Sequence, residues 1–147
     1  MFGLIFDMDG VLVDSVDPHR KSWRLLADEL GREFSDELFM STFGRQNRDI
    51  VPLVFGYDDE ETIRKLGDRK EELYRDLIRG QIPEMDGAGD LIRACHKAGF
   101  KLAIGSSGPA DNVNLVLAGM EVDHYFDVRI TEQQVKRGKP DPQVFQL

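Results

Sequence analysis

Asp7 and Asp9 stand two residues apart, directly behind a short apolar run from Phe2 to Phe6, in the string Asp7-Met8-Asp9-Gly10-Val11-Leu12-Val13-Asp14. Two carboxylates so close repel each other unless a cation neutralises them. A hard, oxygen-seeking ion is the chemistry this pattern predicts, and magnesium suits it best. Alone, an Asp-x-Asp-Gly string also reads as a polar cap on a strand-to-loop turn. Two further groups bear on that choice. Ser106 follows a second apolar run, Lys101 to Ile104, within Gly105-Ser106-Ser107-Gly108. Lys139 lies in Lys136-Arg137-Gly138-Lys139-Pro140-Asp141-Pro142, where it could bring a fixed positive charge to the same edge. Taken singly, Ser106 reads equally as a helix N-cap and Lys139 as a solvated surface charge.

For these groups to meet, the runs before them must lie side by side. Both runs are short and nearly continuous in apolar residues, the pattern of parallel strands covered on both faces. A third strand is expected at Phe126 to Ile130, and a helix from Gly87 to Lys97, stopped by Gly99, precedes the second. Alternation of strand and helix predicts a parallel, Rossmann-like sheet with ligands beyond the carboxyl ends of its strands. The interval between the first two strands is too long for a simple crossover. Residues 15–82 read instead as an all-helical insertion, a cap, on an α/β core made of residues 1–14 and 83–147.

Within the insertion, Asp17-Pro18 reads as N-cap and first helical residue, with His19, Trp23, Leu26 and Leu30 on one face. A second helix is expected after Ser35, carrying Leu38 and Phe39. Asp58 with Glu61 resembles a capping box for a helix running to about Arg79. Pro52 leaves the stretch between them open. On the last helix Lys70 shares an apolar stripe with Ile63, Leu66, Leu73 and Leu77, where a lysine either snorkels out or reaches an anion.

A net charge of −8 opposes binding to a polyanion such as nucleic acid. The single cysteine, Cys95, allows no internal disulfide and reads as core. No apolar run approaches the roughly 18 residues of a membrane span, and the start lacks a signal peptide's pattern. A cytoplasmic protein with no membrane partner is the expectation.

The Asp7–Asp14 string, Ser106 and Lys139, in that order and spacing, resemble the haloacid dehalogenase superfamily, in its phosphatase and β-phosphoglucomutase-like branch with a helical cap. The resemblance covers essentially the whole chain. It implies that Asp7 is a nucleophile that takes the phosphoryl group and binds Mg2+, while Asp9 adds a metal-binding carbonyl, protonates the leaving alcohol and then activates water. It implies that Ser106, Ser107 and nearby N–H groups bind phosphoryl oxygens and that Lys139 stabilises their charge. In the cap, His19 and Lys70 match positions that face substrate, and Gly44-Arg45-Gln46-Asn47-Arg48 resembles a specificity loop in which Arg45 or Arg48 would hold a second anionic group.

The implied substrate is a small phosphorylated metabolite such as a sugar phosphate, hydrolysed through an aspartyl phosphate. A β-phosphoglucomutase-like mutase uses the same aspartates, and a non-catalytic phospho-acceptor module is the alternative from another class. A dinucleotide-binding module fits less well, because Gly105-Ser106-Ser107-Gly108 lacks the glycine fingerprint's spacing. In the resembled family another strand and a metal-binding acid follow the lysine motif. We therefore expect that ligand to lie outside the 147 residues, the intact protein to be monomeric, and a chain without that strand to associate, bind magnesium weakly and turn over poorly.

Overall fold

The computed structural model describes residues 2–147. Three parallel strands, β1 (Gly3–Phe6), β2 (Lys101–Gly105) and β3 (Val128–Ile130), form a sheet in that order. The register pairs Phe6 with Ile104 and Gly105 with Ile130, so β1 and β2 end at nearly the same level. Between β1 and β2 run α1 (Val16–Glu29), α2 (Asp36–Thr42), α3 (Asn47–Phe55), α4 (Glu60–Ile78) and α5 (Ala88–Lys97); α6 (Ala110–Gly119) joins β2 to β3. Short 3-10 turns at Glu132–Gln134 and Pro142–Phe145 flank the lysine loop. No helix among the described residues is long and apolar enough to cross a membrane.

Local chemistry explains the helix limits and corrects several expected ones. The first helix starts at Val16 behind Ser15, so Pro18 is its third residue rather than its first. α4 is capped by Asp59, not Asp58: its carboxylate accepts the Thr62 N–H at 2.8 Å. Ser35 caps α2 as expected, accepting from the Leu38 N–H at 3.2 Å. The open stretch around Pro52 is a helix, α3, ended by Gly56 at φ 73°, a left-handed conformation that glycine adopts without strain. The third strand is shorter than expected, beginning at Val128.

Apolar side chains collect in two clusters. One sits against the sheet and includes Met8, Ile92, Leu102, Ile104, Val113 and Leu117; the other joins Trp23, Phe34, Phe39, Val51 and Phe55 among the four inserted helices. The two do not divide at the chain crossings, because Tyr74 and Ile78 of α4 belong to the sheet cluster. The crossings lie side by side: the Asp14 N–H donates to the Pro83 carbonyl at 2.7 Å, beside an antiparallel bridge of Val13 with Glu84.

β1 is not covered on both faces. Among the described residues it pairs with β2 alone, and its Ile5 is 53% exposed. An apolar run thus marked a strand without fixing its place in the sheet.

Candidate active site

The turn after β1 is what aims the two aspartates. The Gly10 N–H donates to the Val13 carbonyl at 2.8 Å, and the Leu12 N–H to the Met8 carbonyl at 2.9 Å, with Gly10 at φ 75°. This fold-back buries Met8, Leu12 and Val13, while Asp7 and Asp9 line a cavity of about 200 Å³ between the sheet and the inserted helices. Lys139 enters from the other side. Its Nζ lies 2.7 Å from Asp7 Oδ1 and 3.4 Å from the Gly105 carbonyl at the end of β2, with the Phe145 ring 5.0 Å away. The Met8 N–H also donates to Asp7 Oδ1, at 2.8 Å, so both contacts fall on one carboxylate oxygen and leave Oδ2 outside them.

Ser106 is fully buried, and its Oγ accepts the Gly108 N–H at 3.0 Å. It caps no helix, since α6 begins only at Ala110 behind Pro109. The cavity wall here is Ser107 and Gly108. The serine after β2 therefore shapes the turn, and its neighbours face the opening.

Above Asp9 stands a line of polar groups from the insertion. His19 Nε2 lies 2.9 Å from Asp9 Oδ1, Lys70 Nζ lies 2.8 Å from His19 Nδ1, and Lys70 Nζ donates to Glu71 Oε1 at 2.9 Å. The His19 ring stacks on Tyr74 at 4.0 Å and 6°. Lys70 is only 2% exposed, its ammonium 5.3 Å from the Trp23 ring centre and 5.5 Å from that of Tyr74. Burial pushes the Asp9 carboxyl up, but His19, hydrogen-bonded to it, with the nearby Ser15 hydroxyl and Lys70, outweighs that and holds the group below its ordinary value. Glu71 follows the same logic: burial raises it, and Lys70, His19 and Asn47 bring it below the ordinary range.

Of the two loop arginines, Arg45 lines the cavity. Arg48 lies outside it and donates to the Lys136 carbonyl at 2.8 Å, tying the segment around Arg48 to the lysine loop. The expected set Asp7, Asp9, His19, Arg45, Lys70, Ser107 and Lys139 therefore surrounds one cavity, with Ser106 behind its wall. Sequence reasoning missed Glu71 and Tyr74. A lysine on an apolar stripe demands a buried counter-charge, and that signal pointed to a carboxylate nearby on α4.

For a divalent cation, the Asp7 carboxylate and the Asp9 main-chain carbonyl are the oxygen donors within reach of this turn. They suit a hard ion in kind. Among the described residues no group of three or more His, Cys, Asp or Glu side chains converges as a metal cluster. The donors fit such an ion as a partial set, completed by water or by oxygens from elsewhere.

A parallel sheet carrying paired aspartates behind its first strand, a serine turn behind the second and a lysine facing both defines an α/β phosphoryl-transfer architecture. The profile of the haloacid dehalogenase-like hydrolases matches residues 4–147, and the chain belongs to that family. It is similar to the phosphorylated carbohydrates phosphatase of Thermotoga maritima, 28% identical over all of this chain and 68% of that protein. A fructose-1-phosphate phosphatase of Escherichia coli is 26% identical over 99% of this chain and 77% of its own length. Among solved structures, the β-phosphoglucomutase of Clostridium difficile superposes with a TM-score of 0.83 at 25% identity, over 99% of this chain and 69% of that one.

Proposed function

We propose that this chain carries the catalytic groups of a magnesium-dependent phosphatase acting on a small phosphorylated metabolite, with a sugar phosphate as the substrate class. The observation that carries the reading is the Lys139 ammonium 2.7 Å from Asp7 Oδ1, with Asp9 held beside it by His19. Asp7 attacks phosphorus; the P–O bond to the leaving alcohol breaks, and the phosphoryl group passes to the Asp7 carboxylate. Asp9 then takes a proton from water, whose oxygen attacks the aspartyl phosphate and frees Asp7. Lys139 and the Ser107 N–H are the fixed donors toward phosphoryl oxygens, where positioning and electrostatics do most of the catalysis. A magnesium ion bound by Asp7 and the Asp9 carbonyl would offset phosphoryl charge.

Asp9 is held in its basic form, which suits attack by water. Protonating the leaving alcohol needs the acid form, and the line from Lys70 through His19 to Asp9 is a path along which one proton can move.

The mutase reading draws on the likeness to β-phosphoglucomutase and on Arg45 in the cavity. Lys70, however, is already engaged by Glu71 and His19. A second phosphate would have to rely on Arg45, so we favour hydrolysis. The test is phosphate release from a panel including fructose 1-phosphate and β-glucose 1-phosphate, with magnesium and with a chelator. Asp7→Asn should remove essentially all turnover. Release that survives that substitution sinks the mechanism, and glucose 6-phosphate formed without free phosphate would favour the mutase.

A further inference from the structure

We infer that Glu71 is a positioning residue: by holding Lys70 against His19 it fixes the imidazole tautomer that faces Asp9, and its other carboxylate oxygen, held by Asn112, anchors the same helix to the α/β core. The catalytic half of this inference rests on the phosphatase reading above.

Glu71 is 6% exposed, and its carboxylate accepts hydrogen bonds from three helices. Lys70 of α4 and Asn47 of α3 donate to Oε1 at 2.9 and 2.7 Å, and Asn112 of α6 donates to Oε2 at 2.6 Å. The orientation of the Asn112 amide follows from its other partner. Arg75 Nη1 donates to Asn112 Oδ1 at 2.9 Å, so the carboxamide is bracketed by two α4 residues one turn apart. α6 begins just behind the Ser106–Gly108 turn that walls the cavity.

Lysine is a donor only. At 2.8 Å from Lys70 Nζ, His19 Nδ1 must accept, which leaves the imidazole proton on Nε2, directed at Asp9 Oδ1. Replace Glu71 by Gln and the buried Lys70 ammonium loses its counter-charge, keeping at most a neutral amide oxygen beside the imidazole and the aromatic faces, which favours withdrawal or loss of its proton. Either outcome frees His19 Nδ1 to carry a hydrogen. Lifting the helices off the core would break the Glu71–Asn112 and His19–Asp9 contacts and leave Lys70 between Glu71 and His19, so the tautomer is set within the insertion and is presented to Asp9 when the insertion is seated.

The test uses the full 147-residue chain. Long-range proton–nitrogen spectra of 15N-histidine protein, with His96→Gln and His124→Gln for assignment, read the His19 tautomer without substrate or metal. Wild type should show the Nε2-protonated form alone, and Glu71→Gln a mixture. Lys70→Met should give the same mixture, with no further change when Glu71→Gln is added; that double variant removes both buried charges and serves if Glu71→Gln does not fold. An unchanged tautomer in the variants overturns the inference.

In the activity arm, Glu71→Gln should lower kcat for fructose 1-phosphate by about 10- to 100-fold, part of the roughly 10²- to 10⁴-fold that acid–base catalysis supplies. KM should stay within about twofold, because Glu71 binds no substrate. p-Nitrophenyl phosphate, whose leaving group needs no proton, should be largely spared. Equal losses on both esters overturn the positioning role. A wild-type chain that, in excess over substrate and at saturating magnesium, releases alcohol or p-nitrophenol from neither ester in a single turnover overturns the phosphatase reading instead, and the tautomer comparison then decides this inference by itself.

Discussion

Replacing Glu132 by Gln should make the protein more stable above neutral pH and leave it nearly unchanged in acid. Glu132 lines a second crevice of about 1030 Å³ between the inserted helices and the core, opposite Glu71 and Asp68. Burial, then repulsion from Glu71, pushes its carboxyl from an ordinary 4.5 to about 7; Lys70 and Arg48 pull the other way without prevailing. The folded chain therefore holds this proton more tightly than the unfolded one. The stability it contributes is full below about pH 4.5 and is lost as pH rises through about 7. At about 1.4 kcal/mol per pH unit the loss is at most about 3.5 kcal/mol, and partial solvent access reduces it to about 1 to 2 kcal/mol. Glutamine keeps the shape of the protonated acid and has no proton to lose. Urea unfolding of both proteins at pH 5 and pH 8 isolates the effect, since every other titrating group cancels in the double difference. Parallel pH slopes for the two proteins would refute the reasoning.

Gly119→Ala should destabilise the fold by about 1 to 3 kcal/mol in urea unfolding, although alanine is the better helix former, because the new Cβ would stand 2.3 Å from Ile82 Cγ1. An unchanged midpoint would mean that the connection at Ile82 yields freely. Tyr74→Phe should stabilise by about 1 kcal/mol, since the hydroxyl is buried with no hydrogen-bond partner among the described residues; a loss of stability would reveal a bond that the hydroxyl makes. Asp9→Asn should slow the release of alcohol from fructose 1-phosphate far more than that of p-nitrophenol in single-turnover assays, and equal slowing would remove Asp9 from the role of acid.

The parts of the site that the sequence made legible are those carried by short chain segments. The string from Asp7 to Asp14 encodes its own turn, and Ser106 and Lys139 follow elements whose period and punctuation were readable. Within the insertion, Ser35 and the stripe through Lys70 were readable for the same reason, while Asp58 against Asp59 was a one-residue ambiguity between adjacent acids. What stayed hidden depends on partners distant in the chain. Glu71 looked like one more charge in Glu71-Glu72 until Asn47 and Asn112 closed on it from 24 and 41 residues away. Arg45 and Arg48 are chemically alike in the sequence; only the approach of Gly138 to Gln46, and the Lys136 carbonyl, sends Arg48 to a different partner.

The paired crossings at Asp14 and Pro83 give the inserted helices the character of an interchangeable module. Entry and exit are one hydrogen bond apart, so the insertion places no demand on the sheet's register, and a longer, shorter or foreign segment can span the same gap at little cost in loop closure. The seam for such an exchange is not at the crossings, however. Tyr74 and Ile78 plug the core from the last turns of α4, so a graft cut at Ser15 and Ile82 would unplug it. A graft that joins upstream of Tyr74 would keep the plug, but it would carry the chemistry beneath unchanged only if it also supplied a His19–Lys70–Glu71 line to meet Asp9.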